Sequence, residues 1–281
     1  RDDDESESPS ILRYLQWVIL AALPSVLLVA FTNHITQDVA SLPFLWILPL
    51  SVYLLTFILC FDRESTARWP YWNWCAGIAL MMAAIAQIVT EAPARVMIPL
   101  FLITLFVVVM YFHARLVTLK PASSHLTSFY LMISVGGAIG SLLVSLIAPN
   151  VFSSFHELPL ALVASAMALL FFDYGGGIAQ RLRWLMVLAA TVLAARFWIY
   201  AVGLHSIAIG RNFYGVLSVE QYEITPALGP ARVLVHGTIR HGAQLLSQME
   251  RPQAITYYAP QSGAGLALNS RPHPRFAVVG L

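Results

Sequence analysis

The chain has 281 residues, of which 58% are Ala, Val, Ile, Leu, Met, Phe, Trp, Tyr or Cys and only 11% are charged. A soluble domain carries about 25% charged residues, so this composition cannot clothe a protein in water, and a mean hydropathy of +0.72 agrees. A formal charge of +2 excludes a nucleic-acid partner, and two cysteines, Cys60 and Cys75, exclude a disulfide framework. No cluster has metal-ligand spacing, so no metal is expected.

Residues 1–10 (RDDDESESPS) form an acidic, serine-rich stretch with nothing to bury, and read as a polar tail. No basic region precedes the first apolar run, which argues against a secretory signal. From 11 to 203 the chain is a succession of apolar runs: 11–31, 44–61, 74–90, 96–118, 126–148, 158–172 and 183–203. A helix needs about 20 apolar residues to cross a bilayer, and no strand-like alternation suggests a β-barrel. The expectation is an α-helical multi-pass bundle of about seven spans. The sixth run is short and stops before Gly175-Gly176-Gly177.

The polar breaks orient this bundle. An N-terminus on the cytoplasmic side puts Arg13, Arg63, Arg68, Arg115, Lys120, Arg181 and Arg183 inside and Arg95 alone outside, the bias expected of inner loops. The expected location is a bilayer such as the bacterial inner membrane. Cys60 and Cys75 then face a reducing compartment and should be free thiols.

Several polar residues interrupt the apolar part. The Thr32–Asp38 stretch, with His34 and Asp38, has two readings: the lining of a substrate path, or an interfacial loop whose Asp38 caps the next helix. Arg196 is either an intramembrane functional group or a snorkelling side chain among Phe197, Trp198 and Tyr200. His113 and His125 flank the loop containing Lys120 and are expected on a solvated face. Pro24, Pro49 and Pro99 are candidate kink points. Gly136 and Gly140, four residues apart, make a small flat face for a second helix and a possible homo-oligomer contact.

From 204 to 281 the character changes, with six arginines, four of the eight histidines, and turn signals at Leu228-Gly229-Pro230, Ser262-Gly263 and Pro272/Pro274. Strand-like runs are Phe213–Ile224, Arg232–His236 and Phe276–Leu281, and a helix should begin near Ser262, whose hydroxyl can cap it. The last run looks like the first strand of a nucleotide-binding α/β sheet, with Gly280 where a glycine-rich turn would start.

The ordered strings RNFYGVL (211–217), HGTIRHGAQ (236–244), TYY (256–258) and SGAGLAL (262–268), followed by VVGL, resemble the membrane-fused spermidine synthase-like proteins. In these a multi-span bundle precedes a polyamine aminopropyltransferase-type domain. The resemblance implies a small β-region ahead of a Rossmann-like fold, and aminopropyl transfer from decarboxylated S-adenosylmethionine to a diamine. It places His236, His241, Gln244, Tyr257 and Tyr258 in a substrate cleft. Gln244, or Arg240, stands where soluble members have a glutamine. His236-Gly237 replaces their Asp-Gly, and Tyr257-Tyr258 their Tyr-His. For the histidines the alternative is hydrogen bonding within a hairpin; for the tyrosines, simple core. Gly280 is the one residue that falls at the nucleoside turn.

The glycine-rich turn, the ribose-binding acid and the catalytic aspartate that the family implies do not occur in matching motifs among the 281 residues. The expectation is therefore a domain incomplete at its nucleoside site, inactive alone, with no catalytic residue assignable. Seven spans also leave this domain outside, away from a cytosolic donor, unless one span such as the short sixth is re-entrant, the charge reading fails, or the domain has another task. The competing expectations are a transporter-like bundle with a regulatory C-terminal segment, and a bundle that merely tethers the domain to the membrane.

Overall fold

The computed structural model describes residues 8–39, 44–89, 93–175, 177–204, 206–212, 215–225, 229–237, 239–247, 254–256 and 259–270. The expected strand Phe276–Leu281 with Gly280, and the pair Tyr257 and Tyr258, lie outside these residues. The chain divides into two compact units, Arg1–Tyr200 and Ala201–Leu281.

The first unit is helical. Its helices are α1 (Ile11–Asn33), continued by a π-helical turn over His34–Val39, then α2 (Ile47–Asp62), the single turn α3 (Glu64–Ala67), α4 (Trp72–Ile88) and α5 (Ala94–Thr118). After a short 3₁₀ turn come α6 (Leu126–Leu142) with a π-helical continuation to Ile147, α7 (Ala148–Val151), α8 (Glu157–Phe172) and α9 (Ile178–Leu204). Four helical stretches are long and apolar enough to cross a membrane: Ile11–Gln37, Ala94–Thr118, Ser123–Val151 and Ile178–Leu204. α2, α4 and α8 are apolar but shorter, at 16, 17 and 16 residues. The length criterion thus supports four spans where the apolar runs suggest seven.

Local chemistry explains the boundaries. Ser10 caps α1 by accepting from the Arg13 amide. Pro49 and Pro159 sit in the first turns of α2 and α8, where a missing N–H costs nothing. Pro24 and Pro99 lie within α1 and α5, which continue through them.

The core is built round α5. Trp17, Phe31, Phe101, Phe112, Phe129 and Trp184 are fully buried, with Trp17 edge-on to Phe129 and Phe31 against Phe101. A methyl group on Gly136 would collide with the Val18 carbonyl, and one on Gly140 with the Ala22 carbonyl. The small face of α6 therefore receives the backbone of α1 from the same chain. A homo-oligomer contact through Gly136 and Gly140, expected from the spacing, finds that face already covered.

Side-chain contacts fix the direction of each helix. The Trp17 indole N–H donates to the Leu119 carbonyl, bringing the start of α1 to the end of α5. Asn73 at the start of α4 and Tyr111 near the end of α5 both donate to Asp173, just beyond α8. At the opposite end His34 packs edge-on against Phe101 and Trp198, joining the end of α1 to the start of α5 and the end of α9. The helices alternate up and down. α8 is one continuous helix of 16 residues.

In the second unit four strands form an antiparallel meander in the order β1 (Ser206–Asn212), β2 (Gly215–Thr225), β3 (Gly229–His236), β4 (Ile239–Leu245). Register pairs Arg211 with Val216, Ser218 with Val235 and Val233 with Ala243. β3 alternates cleanly: Ala231, Val233 and Val235 are buried, and Arg232 and Leu234 are exposed. β1 and β4 are not among the strand-like runs of the sequence, although hydrogen bonding within a hairpin is one of the two readings of His236 and His241. The pairing partner of β4 supplies the hydrogen bonds that its weak apolar pattern could not advertise. Ser262 caps α10 (Gly263–Asn269) by accepting from the Gly265 amide at 3.1 Å, as the sequence suggested.

Candidate functional site

The residues singled out by the sequence fall on the β3–β4 hairpin. His236 ends β3, and Gly237 has φ of +58°, a left-handed conformation suited to a two-residue turn. His236 pairs with Ile239, and Leu234 with Gly242. Between them β4 gains one residue, His241, which occupies the bulge. A bulge re-aims the side chain it carries. Here the two imidazoles lie with ring centroids 5.9 Å apart, inclined by 32°.

Gln244 does not join them. It pairs with Arg232, which shares a face with His236 but lies four residues back, about 13 Å along the strand. Arg240, the other stand-in for the family's glutamine, places its guanidinium 5.2 Å from the Tyr222 ring. The carboxylates are also remote from the histidine pair. Glu223 pairs with Pro230 at the far end of the sheet, and Glu220 accepts from the Ser218 hydroxyl. The hairpin thus offers two adjacent imidazoles on an exposed sheet face that also carries Leu217, Leu234 and Ile239. Such a pair can accept and donate hydrogen bonds. No group of three metal-ligating side chains occurs among them.

A second set of polar groups lies at one end of the helical unit. Asp173 accepts from the Asn73 amide at 2.8 Å and from the Tyr111 hydroxyl at 3.5 Å. Arg115 donates to the Phe172 carbonyl at 2.7 Å, and Gln180 to the Asp173 carbonyl at 3.1 Å. These four contacts tie α4, α5, α8 and α9 together. Around them sit aromatic residues: Arg183 lies 3.4 Å over the Trp74 ring and 4.3 Å from that of Trp184, and Arg181 lies 4.1 Å over Tyr174. Tryptophan and tyrosine with cations is the composition of a headgroup-level belt. Exposed Arg196, among Phe197 and Tyr200 towards the other end of α9, has the surroundings of a snorkelling side chain.

Two readings of the apolar part need correction, and one residue was missed. His113 is not on a solvated face: it is 2% exposed, enclosed by the Tyr53 and Phe57 rings, with Nδ1 3.1 Å from the Thr56 hydroxyl. α5 runs five residues past it to Thr118, and α2 packs over that turn, which the apolar run alone did not reveal. His34 is not in a loop but in the π-helical extension of α1, buried against Phe101 and Trp198. Asp173 was unmarked in the sequence; its signal was a lone acid between an apolar run and a glycine stop. Cys60 is a buried free thiol and Cys75 a partly exposed one.

Comparison with known proteins returns no match to a family model, a curated protein or a solved structure. What the geometry defines is a class: an apolar helical bundle with four membrane-length helices, followed by a small antiparallel sheet.

Proposed function

We propose that the chain is an integral membrane protein of the membrane-fused spermidine synthase-like type, in which the helical unit is the anchor and residues 201–281 open an aminopropyltransferase-like domain. One observation carries this reading. A four-stranded antiparallel sheet directly follows the last apolar helix, and the strings RNFYGVL and HGTIRHGAQ sit at its β1–β2 and β3–β4 hairpins. That is where the resemblance implies a small β-region with substrate-facing residues. In this reading His236 and His241 line one wall of a diamine cleft, and decarboxylated S-adenosylmethionine is the co-substrate of the complete domain.

All seven apolar helices cross the bilayer in this proposal, α2, α4 and α8 included. At 1.5 Å per residue these three span about 24–26 Å, short of roughly 30 Å, a mismatch that local thinning absorbs at modest cost. Their exposed apolar faces, such as Leu54, Leu55 and Ile58 on α2, suit lipid.

The side of the membrane occupied by the sheet tests the reading. Aminopropyl transfer needs a cytosolic donor, so with seven crossings the transferase reading requires the cation-rich end of the bundle to face away from the cytosol, against the positive-inside bias. A Gln221→Cys variant, in a Cys75→Ser background, reports the side through an impermeant maleimide. Labelling confined to inside-out vesicles supports the transferase reading. Labelling in intact cells overturns it and supports a second reading, a transporter-like bundle with a regulatory C-terminal segment. Buried His113, bonded to Thr56 within the helical unit, favours that second reading, because ionisable groups in such positions mark pathways. Saturable putrescine binding to the purified full chain, weakened about tenfold by H236A with H241A, supports the cleft assignment. Its absence removes it.

A further inference from the structure

α6 meets α1 through Gly136 and Gly140, which leave no room for a methyl group against the Val18 and Ala22 carbonyls. Just beyond this contact α6 passes into the π-helical turn Leu143–Ile147, where the Ala148 amide donates to the Leu143 carbonyl five residues back. The turn ends shortly before Pro149. A proline has no N–H for the carbonyl four residues back, and its ring crowds that carbonyl, so the wider turn makes room for it. Turns of this kind are rare inside helices and recur at functional sites.

Along this stretch lies a slot of about 540 Å³, bordered by Ala22 and Val26 of α1, Leu143 and Ile147 of the π turn, and Ala161 and Ala164 of α8. Of the described residues that line it, only Glu157, at the head of α8, is not apolar. Ile19, Leu143, Ile147 and Leu160 are exposed, so the slot opens on the flank of the bundle. Val18–Val26 occupy the middle of the membrane-length stretch Ile11–Gln37, which puts the slot at the depth of the hydrocarbon.

Its size selects the guest. On the α6–α7 side it extends from Ile139 to Val151, about 18 Å of helix axis, so its mean cross-section is roughly 30 Å². A helix about 10–12 Å across needs about 80–110 Å². A helix from a second copy is therefore too thick to enter, and a water-soluble ligand would find almost no polar wall. A polymethylene chain has the width, the apolarity and the linear form.

We propose that this slot seats one acyl chain of a membrane phospholipid as a fixed part of the fold. Helices in lipid associate through shape, and a chain lodged here supplies α1, α6 and α8 with dispersion contacts that the widened turn removes. The inference rests on the bundle lying in a bilayer, and not on the transferase reading of residues 201–281.

The test compares the full wild-type chain with V26F/A164F, which fills the slot, and with A189F, which adds the same ring at an exposed position on α9. After reconstitution in nanodiscs of phosphatidylcholine and phosphatidylglycerol and transfer to detergent, native mass spectrometry counts phospholipid per chain. One phospholipid retained by wild type and A189F, with retention reduced on the order of tenfold in V26F/A164F, supports the proposal. No retained lipid, or equal retention by all three proteins, overturns it. A dimer that V26F/A164F breaks also overturns it and gives the slot to a second copy. Wild type alone provides a check that needs no substitution: a phosphatidylcholine with a diazirine midway along one acyl chain should crosslink to 139–151 and 157–164 several times more than to the exposed face of α9. Equal yields on both overturn the proposal. Carbonate extraction reads membrane embedding by itself. A chain released by carbonate loses the membrane reading and the slot together, whereas one that stays embedded but retains no phospholipid loses the slot alone.

Discussion

α5 and α9 are close in length, 25 and 27 residues, and both are apolar enough to cross a membrane. Yet 56% of the most apolar stretch of α5 is buried and only 22% of that of α9. In α5 the seven consecutive residues Val108–Ala114 are all buried, nearly two full turns, so protein encloses the helix on every side. α9 buries one stripe, Trp184, Val187, Thr191, Ala194 and Ala195, and turns Met186, Leu193 and Tyr200 outward. Hydropathy is blind to this difference. In lipid the outward face of a helix is as apolar as its packed face, so packing is distinguished by shape and not by polarity.

Three variants break or sharpen that contrast. The largest effect is expected where backbones touch: Gly136→Leu with Gly140→Leu drives side chains into the Val18 and Ala22 carbonyls and should destabilise the bundle by about 3 kcal/mol or more. Loss of a monodisperse peak on size exclusion in detergent checks it, and an unaltered melting temperature would show that α6 does not pack on α1 this way. Next is Phe112→Ala in α5, which empties a fully buried site. Because lipid takes over part of the transfer term, the cavity remains as the main cost, about 2 kcal/mol, read as a lowered midpoint of thermal unfolding. The smallest is Leu193→Ala, at a residue 70% exposed on α9. It should change stability by less than about 0.5 kcal/mol, and a loss matching that of Phe112→Ala would mean that α9 is covered after all.

Much of the fold is legible in the residues. Each of the seven apolar runs corresponds to a helix whose ends differ from it by five residues or fewer, except that the fifth continues to Val151 through a π-helical segment. The reason is that a backbone in lipid has only itself to bond with, so a long apolar run has one solution. The sheet was half legible: Arg232–His236 announces itself by alternation, whereas β1 and β4 do not, because their side chains mix Gly, Arg, Asn and Gln with apolar residues. His236 and His241 were singled out from a resemblance, and the hairpin turn with its bulge brings their rings together. Gln244 was grouped with them by the same resemblance, and its pairing with Arg232 sets it about 13 Å along the strand from His236. His113 was misplaced because a run of apolar letters does not say which of its polar members another helix will cover.

Composition and run length alone determined that residues 11–203 hold a series of apolar helices, with a different kind of structure after them, since desolvation of the peptide group leaves a long apolar run no other choice. Only the tertiary structure decided which helix is central, that Gly136 and Gly140 serve α1 of the same chain, and that Asn73, Tyr111, Arg115 and Asp173 meet at one end. Those facts depend on contacts between residues 57 to 118 positions apart, and no local pattern of side chains encodes the partner that lies across from it.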